Sequence, residues 1–387
     1  MDNFTWYNPT KIIFGRKTHQ QVGQITAAYA KRVLLVYGGG SLKASGVYDD
    51  ITASLRNAGI QWTELGGIQP NPRLSKVYEG IRLYRENGCE MILAAGGGSV
   101  IDTAKAIGLG VEDNGDVWDF YNGSRRPQKM AKVGVVLTIP AAGSESSDGS
   151  VITNEETKEK LSCCTDFMYP DFAILNPELC YTVPVSQIRA GGADILAHIM
   201  ERYFVPNDHN DVSDRICEAA MEALITNMPK VLEDPKDYDA WAEMMWLGNI
   251  AHNGLLGKGR RDDWASHNIE HELSAIYDVA HGAGLAVVFP AWMRYVYKEH
   301  PWRFVQFASR VWHVDVSSMD EDQACLAGIH ALEDFFKSVG LATHLSEIGI
   351  DDTNIALMAQ KACKNHPLGS FKTLYAQDVE EILKSAQ

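Results

Sequence analysis

"MILAAGGGSVIDTAKAI", residues 91–107, carries the pattern that decides the fold. An apolar run leads into three glycines, and the residues that follow place apolar side chains at the three- and four-residue spacing of a helix. A second stretch, "RVLLVYGGGSLKASG" (32–46), repeats the order of strand, glycines and helix. Apolar strands that alternate with helices predict a parallel sheet covered on both faces.

The same alternation extends to about residue 184 and then stops. Further strands are predicted in "QWTELGG" (61–67), "KVGVVLTIPA" (132–141) and "FAILNP" (172–177). After "YTVP" (181–184), apolar residues recur only at helical spacing, broken by proline and glycine. A chain of 387 residues also exceeds one ordinary core. We therefore predict an α/β fold, with a Rossmann-like parallel-sheet domain over residues 1–184 and an all-helical domain over 185–387.

Composition excludes several classes of protein. A hydrophobic content of 45% with 22% charged residues is ordinary for a soluble globular protein. The net charge of -15 argues against nucleic acid and anionic membranes as partners. Seven cysteines, an odd number without a C-x-x-C pair, indicate reduced thiols. With no visible signal peptide and no long apolar run, we expect a cytoplasmic protein.

The two glycine turns predict a nucleotide site. Glycines let backbone N–H groups approach a phosphate, and the helix that follows adds partial positive charge at its N-terminus. One such turn can simply be a tight connection between strand and helix. Two of them at the carboxyl ends of strands in one sheet favour a nucleotide, although neither matches G-x-G-x-x-G.

The first turn also bears on the choice of dinucleotide. Sites that prefer NAD usually carry an acid at the end of the strand that binds the adenosine ribose. Here that position is Gly39, and the turn contains no carboxylate, whereas Ser41 and Lys43 lie nearby. The sequence therefore predicts that NADP(H) is mildly favoured over NAD(H).

Histidines in the second half predict a metal site. Asp194 and His198 are four residues apart on one helical face, and "HNIEHELSAIYDVAHGAG" (267–284) contains three more histidines. Aspartate with neutral imidazoles suits iron(II), zinc, manganese or nickel. Within the second stretch, His267 and His271 also form an H-x-x-E-H pattern, which a zinc peptidase would use with Glu270 as general base.

Five motifs together resemble the iron-dependent alcohol dehydrogenases, most closely their butanol dehydrogenase and aldehyde reductase branch. They occur in the right order and span almost the whole chain. The motifs are "PNP" (70–72), "GGGSVIDTAK" (96–105), "TIPAAGSES" (138–146), "GGADILAH" (191–198) and "HNIEHELSAIYDVAHGAGLAVVFPAW" (267–292).

The resemblance implies a role for each of the histidines in question. It places the metal ligands on Asp194, His198, His267 and His281, with iron(II) as the expected metal and zinc or nickel as alternatives. It matches His271 to a residue that lies near the nicotinamide and helps to move protons. Geometry allows neighbouring histidines to take different roles, because helical residues four apart diverge by about 40° around the axis.

The resemblance also implies which residues bind the cofactor. The adenosine end would lie near Gly38, Gly39, Ser41 and Asn71, and the pyrophosphate on Gly97, Gly98 and Ser99, with Asp102 close by. Three further positions match residues that line the ribose and nicotinamide: Thr138, Ser147 and Lys160.

The implied reaction is reversible hydride transfer between NAD(P)H and a small aliphatic aldehyde or primary alcohol such as butanal and butanol. We expect a homodimer with no nucleic-acid or membrane partner. Alternatives are a polyol dehydrogenase of the same superfamily, an NADP(H)-binding sensor without catalytic activity, and the H-x-x-E-H metallopeptidase.

Overall fold

The computed structural model describes all 387 residues, which form two compact units. The sheet unit consists of Tyr7–Val183 and Asp234–Asn253. The helical unit consists of Met1–Trp6, Pro184–Glu233 and Gly254–Gln387. The change of unit at Val183 and Pro184 falls beside the predicted boundary, whereas the return of residues 234–253 to the sheet unit was not anticipated from the sequence.

The sheet unit contains a six-stranded, all-parallel sheet of order β1-β8-β5-β4-β2-β3. Its strands are β1 (Lys11–Phe14), β2 (Arg32–Tyr37), β3 (Gln61–Leu65), β4 (Met91–Gly96), β5 (Val133–Leu137) and β8 (Phe172–Leu175). Every residue of β4, β5 and β8 is buried, as expected of strands with both faces covered. The predicted parallel sheet is confirmed.

Helices connect these strands, and an antiparallel hairpin was missed by the sequence analysis. The helices of the sheet unit are α1 (Val22–Thr26), α2 (Ser41–Ala44), α3 (Val47–Asn57), α4 (Leu74–Glu86), α5 (Gly98–Val111), α6 (Trp118–Tyr121) and α9 (Tyr238–His252). The hairpin pairs β6 (Gly149–Asn154) with β7 (Glu159–Cys164). Polar residues interrupt both of its strands, so they lack the apolar run by which other strands were found.

The register of the sheet brings the two glycine turns side by side. Tyr37, the last residue of β2, pairs with Ala95 in β4, so the glycines that follow both strands lie at the same edge of the sheet. On the other side of β4, Leu137 pairs with Gly96, and the backbone N–H of Thr138 donates to the Gly96 carbonyl at 3.1 Å. Loops after β2, β4 and β5 therefore converge at one edge, where open α/β sheets bind ligands.

The helical unit contains no strand, as predicted. Its helices are α7 (Val185–Tyr203), α8 (Asp211–Glu233), α10 (Ala265–Tyr277), α11 (His281–Val296), α12 (Pro301–Arg310), α13 (Glu321–Ser338), α14 (Ile355–Ala362) and α15 (Ala376–Ser385). Helix α7 packs between α8 and α11, and α10 packs against α11 and α14. No helix of the chain combines the length and the apolar character needed to cross a membrane, and all seven cysteines are free thiols.

Candidate functional site

Three imidazole side chains of the helical unit converge on one carboxylate oxygen of Asp194. Asp194 and His198 lie one turn apart on α7, and the Nε2 atom of His198 is 3.3 Å from Asp194 Oδ1. The Nε2 atoms of His267 on α10 and His281 on α11 lie 3.9 Å and 3.8 Å from the same oxygen. Structure thus brings together the four predicted metal ligands, which are separated by up to 87 positions in the sequence.

These distances fit a divalent metal. Two ligand atoms bound tetrahedrally at about 2.1 Å from an ion lie about 3.4 Å apart. The oxygen-to-nitrogen distances of 3.3–3.9 Å are close to that spacing, and the ligand atoms of Asp194, His267 and His281 all lie within 4.8 Å of one another. One carboxylate with three imidazoles is a donor set suited to iron(II) or zinc and not to calcium or magnesium.

Glycine at position 282 lets the third histidine reach the cluster. His281 is the first residue of α11, and a Cβ on Gly282 would lie 1.8 Å from the carbonyl oxygen of Ala190 on α7. Any side chain there would push the start of α11 away from α7. Gly282 is therefore required for the close packing of α11 on α7, next to the predicted ligand His281.

Glu201 supports His267 from the side opposite Asp194. Its Oε1 atom accepts from His267 Nδ1 at 2.8 Å, and its Oε2 atom accepts from the backbone N–H of Trp264 at 2.7 Å. Burial raises the pKa of Glu201 to about 8, while hydrogen bonds from the His267 and Trp264 backbones oppose that rise. Glu201 was not predicted from the sequence, although its position three residues after His198 places it on the same face of α7.

The other acid of the "HNIEHEL" stretch is occupied by protein contacts. Glu270 is fully buried, its Oε2 atom contacts His281 Nδ1, and its Oε1 atom accepts from Ser274 Oγ. A general base needs access to the proton that it removes, so this arrangement does not favour the metallopeptidase alternative. The partly exposed His271 lies beside the cluster, with its ring centroid 5.6 Å from that of His281.

The glycine turns of the sheet unit differ in how closely they are packed. A Cβ on Gly97 would lie 2.3 Å from Ile139 Cγ2, so the turn before α5 has room only for backbone. By contrast, Cβ atoms on Gly39 or Gly40 would meet nothing within 4 Å. The first turn therefore has open space around its glycines, and the second presents main-chain N–H groups at the start of a 14-residue helix.

Asp102 and Lys105, one helical turn apart on α5, form a buried clasp around the segment after β5. Asp102 accepts from Ser144 Oγ at 2.5 Å and from the backbone N–H of Val151 at 2.9 Å. The ammonium group of Lys105 donates to the carbonyl oxygens of Ser147 and Gly149, both at 2.9 Å. Burial lowers the pKa of Lys105 to about 8. The clasp fixes the segment that carries Ser147, a predicted cofactor residue, and Lys105 itself was missed.

Two other predicted cofactor residues lie in the same unit. Asn71 is buried and adopts a left-handed backbone conformation with φ 52°, just before α4. Lys160 is buried on β7, opposite Thr153 of β6. With Gly38, Gly98 and Ser99 in the two turns, all predicted cofactor residues belong to the sheet unit, and their contacts with a cofactor stay a prediction.

The first turn contains no carboxylate, as its sequence shows, but the structure brings one close to it from the neighbouring strand. Leu35 of β2 pairs with Glu64 of β3, and Glu64 accepts from Tyr37 Oη at 2.6 Å and from Lys43 Nζ at 3.4 Å. Although burial works in the opposite direction, hydrogen bonds from Tyr37 and Tyr48 hold the pKa of Glu64 below its usual value. The charge on Lys43 is thus partly compensated by an acid that comes from the neighbouring strand, 21 residues away in sequence.

Two models of the same protein family match successive parts of the chain. The model of the family described as iron-containing alcohol dehydrogenase matches residues 9–177. The model for the C-terminal part of the Fe-containing alcohol dehydrogenase family matches residues 188–387. The two matches cover nearly the entire chain and divide it close to the end of β8.

Individual relatives agree with these matches over most or all of their lengths. The chain is 42% identical over 386 residues to the probable NADH-dependent butanol dehydrogenase 1 of Bacillus subtilis, covering 100% of both proteins. It is 36% identical to the NADPH-dependent aldehyde reductase YqhD of Escherichia coli, covering 93% of each. The crystal structure of the NADH-dependent butanol dehydrogenase A of Thermotoga maritima superposes with a TM-score of 0.96 at 40% identity, covering 100% of this chain and 99% of the other.

Proposed function

The chain belongs to the iron-containing alcohol dehydrogenase family, and from this premise we propose that it interconverts a small aliphatic aldehyde and the primary alcohol. It is an oxidoreductase of the alcohol dehydrogenase and aldehyde reductase type that uses a metal and a nicotinamide cofactor. The observation that carries the proposal is the convergence of three imidazole Nε2 atoms on Asp194 Oδ1.

The helical unit would hold the metal through Asp194, His198, His267 and His281. A divalent metal, when bound, supplies Lewis acidity that polarises an aldehyde oxygen. Iron(II) is the metal that we propose, with zinc or nickel as alternatives. His271 would move the proton, since its imidazole lies beside the cluster and is partly exposed. An imidazole is suited to that step because its ordinary pKa lies near neutrality.

The sheet unit would bind the dinucleotide. We assign the pyrophosphate to the backbone N–H groups of Gly97, Gly98 and Ser99 at the start of α5, where the helix dipole favours an anion. The adenosine end is assigned to Gly38, Gly39, Ser41 and Asn71, and the ribose and nicotinamide to Thr138, Ser147 and Lys160. Asp102 acts through the segment that it holds, because both of its oxygens accept from protein groups.

Both NADP(H) and NAD(H) would serve, with NADP(H) mildly favoured. Open space at Gly39 accommodates a 2'-phosphate, and Ser41 and Lys43 are near enough in sequence to contact one. Glu64 competes for Lys43, so the preference stays small. The names of the relatives include both cofactors, NADH for the Bacillus subtilis protein and NADPH for that of Escherichia coli.

We further propose a homodimer, as predicted. β1 is an edge strand of the sheet, and Phe14 at its end is 39% exposed and contacts the 43% exposed Trp246 of α9 edge to face. Burying two such aromatic side chains against a second copy would remove an apolar surface from water. Sedimentation equilibrium would then give twice the chain mass of 42.8 kDa.

Reconstitution with defined metals tests the proposed reaction. Protein loaded with iron(II), zinc or nickel is mixed with NADPH or NADH and a series of straight-chain aldehydes, and cofactor oxidation is followed by absorbance. We expect aldehyde-dependent oxidation that requires metal and is efficient near butanal. Oxidation only with dihydroxyacetone, and none with aliphatic aldehydes, would favour the polyol alternative, and cofactor binding without any turnover would favour a sensor.

A further inference from the structure

Glu270 is a fully buried acid for which the proposed reaction has no direct use. It lies on α10 between the predicted ligand His267 and the predicted proton carrier His271. Both of its carboxylate oxygens are engaged: Oε2 contacts Nδ1 of His281, and Oε1 accepts from the Ser274 hydroxyl. Burying a carboxylate costs free energy unless the group is paired and hydrogen-bonded, so a role for these two contacts is expected.

The surroundings of Glu270 are shaped to fit it. A Cβ on Gly284 would lie 2.7 Å from Glu270 Oε1, so glycine at that position leaves the space that the carboxylate fills. Ser274 also reaches the carbonyl oxygen of Val279 at 3.1 Å, in the short connection between α10 and α11. The acid is therefore tied to its own helix, to the connection and to the first residue of the next helix.

His267 and His281 are oriented in the same way by two different acids. Glu201 contacts Nδ1 of His267, and Glu270 contacts Nδ1 of His281. In each ring the Nδ1 atom contacts a carboxylate, so we assign the proton to Nδ1, which leaves a lone pair on the Nε2 atom that lies within 3.9 Å of Asp194 Oδ1. The resulting arrangement is an imidazole prepared on one side to donate electrons to a cation.

We propose that Glu270 is a positioning residue of the metal site, which fixes the tautomer and orientation of His281 and increases the electron density on its Nε2 atom. This inference rests on the proposed function, since it requires a metal among Asp194, His198, His267 and His281. The H-x-x-E-H pattern then supplies a ligand, a support for a second ligand and a proton carrier from one helix. His281 needs such support most, because its side chain is 24% exposed, against 5% for His267.

The test measures metal affinity in the full chain, independently of turnover. Zinc dissociation constants are obtained by chelator competition, and the visible spectrum of the cobalt(II) protein reports ligand geometry. Removing an outer hydrogen-bond partner typically weakens metal binding about 10- to 100-fold. We expect Glu270→Gln, which keeps the shape, near the lower value, and Glu270→Ala near the upper one, with an altered cobalt spectrum in both.

Glu272→Gln is the matched control, because Glu272 is a buried acid on the same helix whose carboxylate pairs with Lys361 at 2.8 Å. It should bind zinc as the parent does. Ser274→Ala removes only one contact to Glu270 and should weaken zinc binding by a smaller factor, which keeps the test decisive if the Glu270 variants are not recovered.

Two results would overturn the inference, and they are distinguishable. Parent-like zinc affinity and cobalt spectra in the Glu270 variants, with metal loss in His281→Ala, would leave the ligand set standing and remove the role of Glu270. Parent-like zinc binding in His281→Ala would show that the ligand set itself is wrong, and the proposed metal site would fail together with the inference.

Discussion

The cluster proposed to hold the metal and the glycine turns proposed to hold the cofactor differ in which part of the chain would make the contacts. The cluster uses side chains from three helices, and Asp194 is the common neighbour of all three imidazoles. Buried acids contact two of these imidazoles, Glu201 that of His267 and Glu270 that of His281. The turns use backbone, and their essential feature is that Gly97 and Gly39 lack a side chain. We therefore expect a site built from side chains to be lost when one side chain is truncated. A site built from backbone should instead change when a side chain is added to one of its glycines.

Removing Asp194 tests the side-chain site, and it should have the largest effect on metal content and activity. Asp194→Ala takes away the carboxylate shared by the three imidazoles, so we expect loss of bound metal and a decrease in activity of about 10³-fold or more, equivalent to about 4 kcal/mol of transition-state stabilisation. His267→Ala should behave alike. Elemental analysis, steady-state rates and cofactor fluorescence titration are the measurements.

Cofactor affinity should stay within about twofold of the parent in both variants, since the turns belong to the sheet unit. Asp211→Ala, which removes a 68% exposed acid on α8, serves as the control and should change neither quantity. Full metal content in either ligand variant would contradict the assignment.

His271 sharpens the comparison within the cluster, because it lies beside the ligands without being assigned as one. His271→Ala should retain metal and lower the catalytic rate about 100-fold, the low end of what general acid–base groups contribute, and the pH–rate profile should lose the step due to an imidazole. Metal analysis beside pH–rate measurements decides the matter. Metal loss equal to that of His267→Ala would make His271 a ligand.

Adding a group to the first turn gives the smallest expected effect. Gly39→Asp places a carboxylate where no atom lies within 4 Å of the new Cβ, so the fold should accept it. The new carboxylate would accept a hydrogen bond from a ribose 2'-hydroxyl and repel a 2'-phosphate. The preference should therefore shift towards NADH about tenfold, or about 1.4 kcal/mol. Steady-state constants for both cofactors are compared with those of Gly39→Asn, which has the same size without the charge. Equal shifts in the two variants would show that charge at this turn does not determine the cofactor preference.

The same contrast explains what could be predicted from the sequence. The parallel sheet, the helical half and the convergence of Asp194 with His198 follow from local spacing, because strands, turns and helix faces are set by neighbours in the chain. Glu64 and Lys105 were missed because their roles depend on partners 21 and 42 residues away. The β6–β7 hairpin was missed because polar residues interrupt both strands. Residues 238–252 were predicted to be helical, but apolar spacing cannot show that this helix, α9, belongs to the sheet unit.

The glycine at position 284 limits which substitutions this part of the site can accept. A Cβ at this position would lie 2.7 Å from Oε1 of Glu270, so a larger residue fits only if the Glu270 side chain shifts. Replacing the glycine would therefore displace an acid that contacts His281. We therefore expect a double-mutant cycle on Gly284 and Glu270 to find non-additive effects. The history of this site is then constrained on both sides of the connection between α10 and α11.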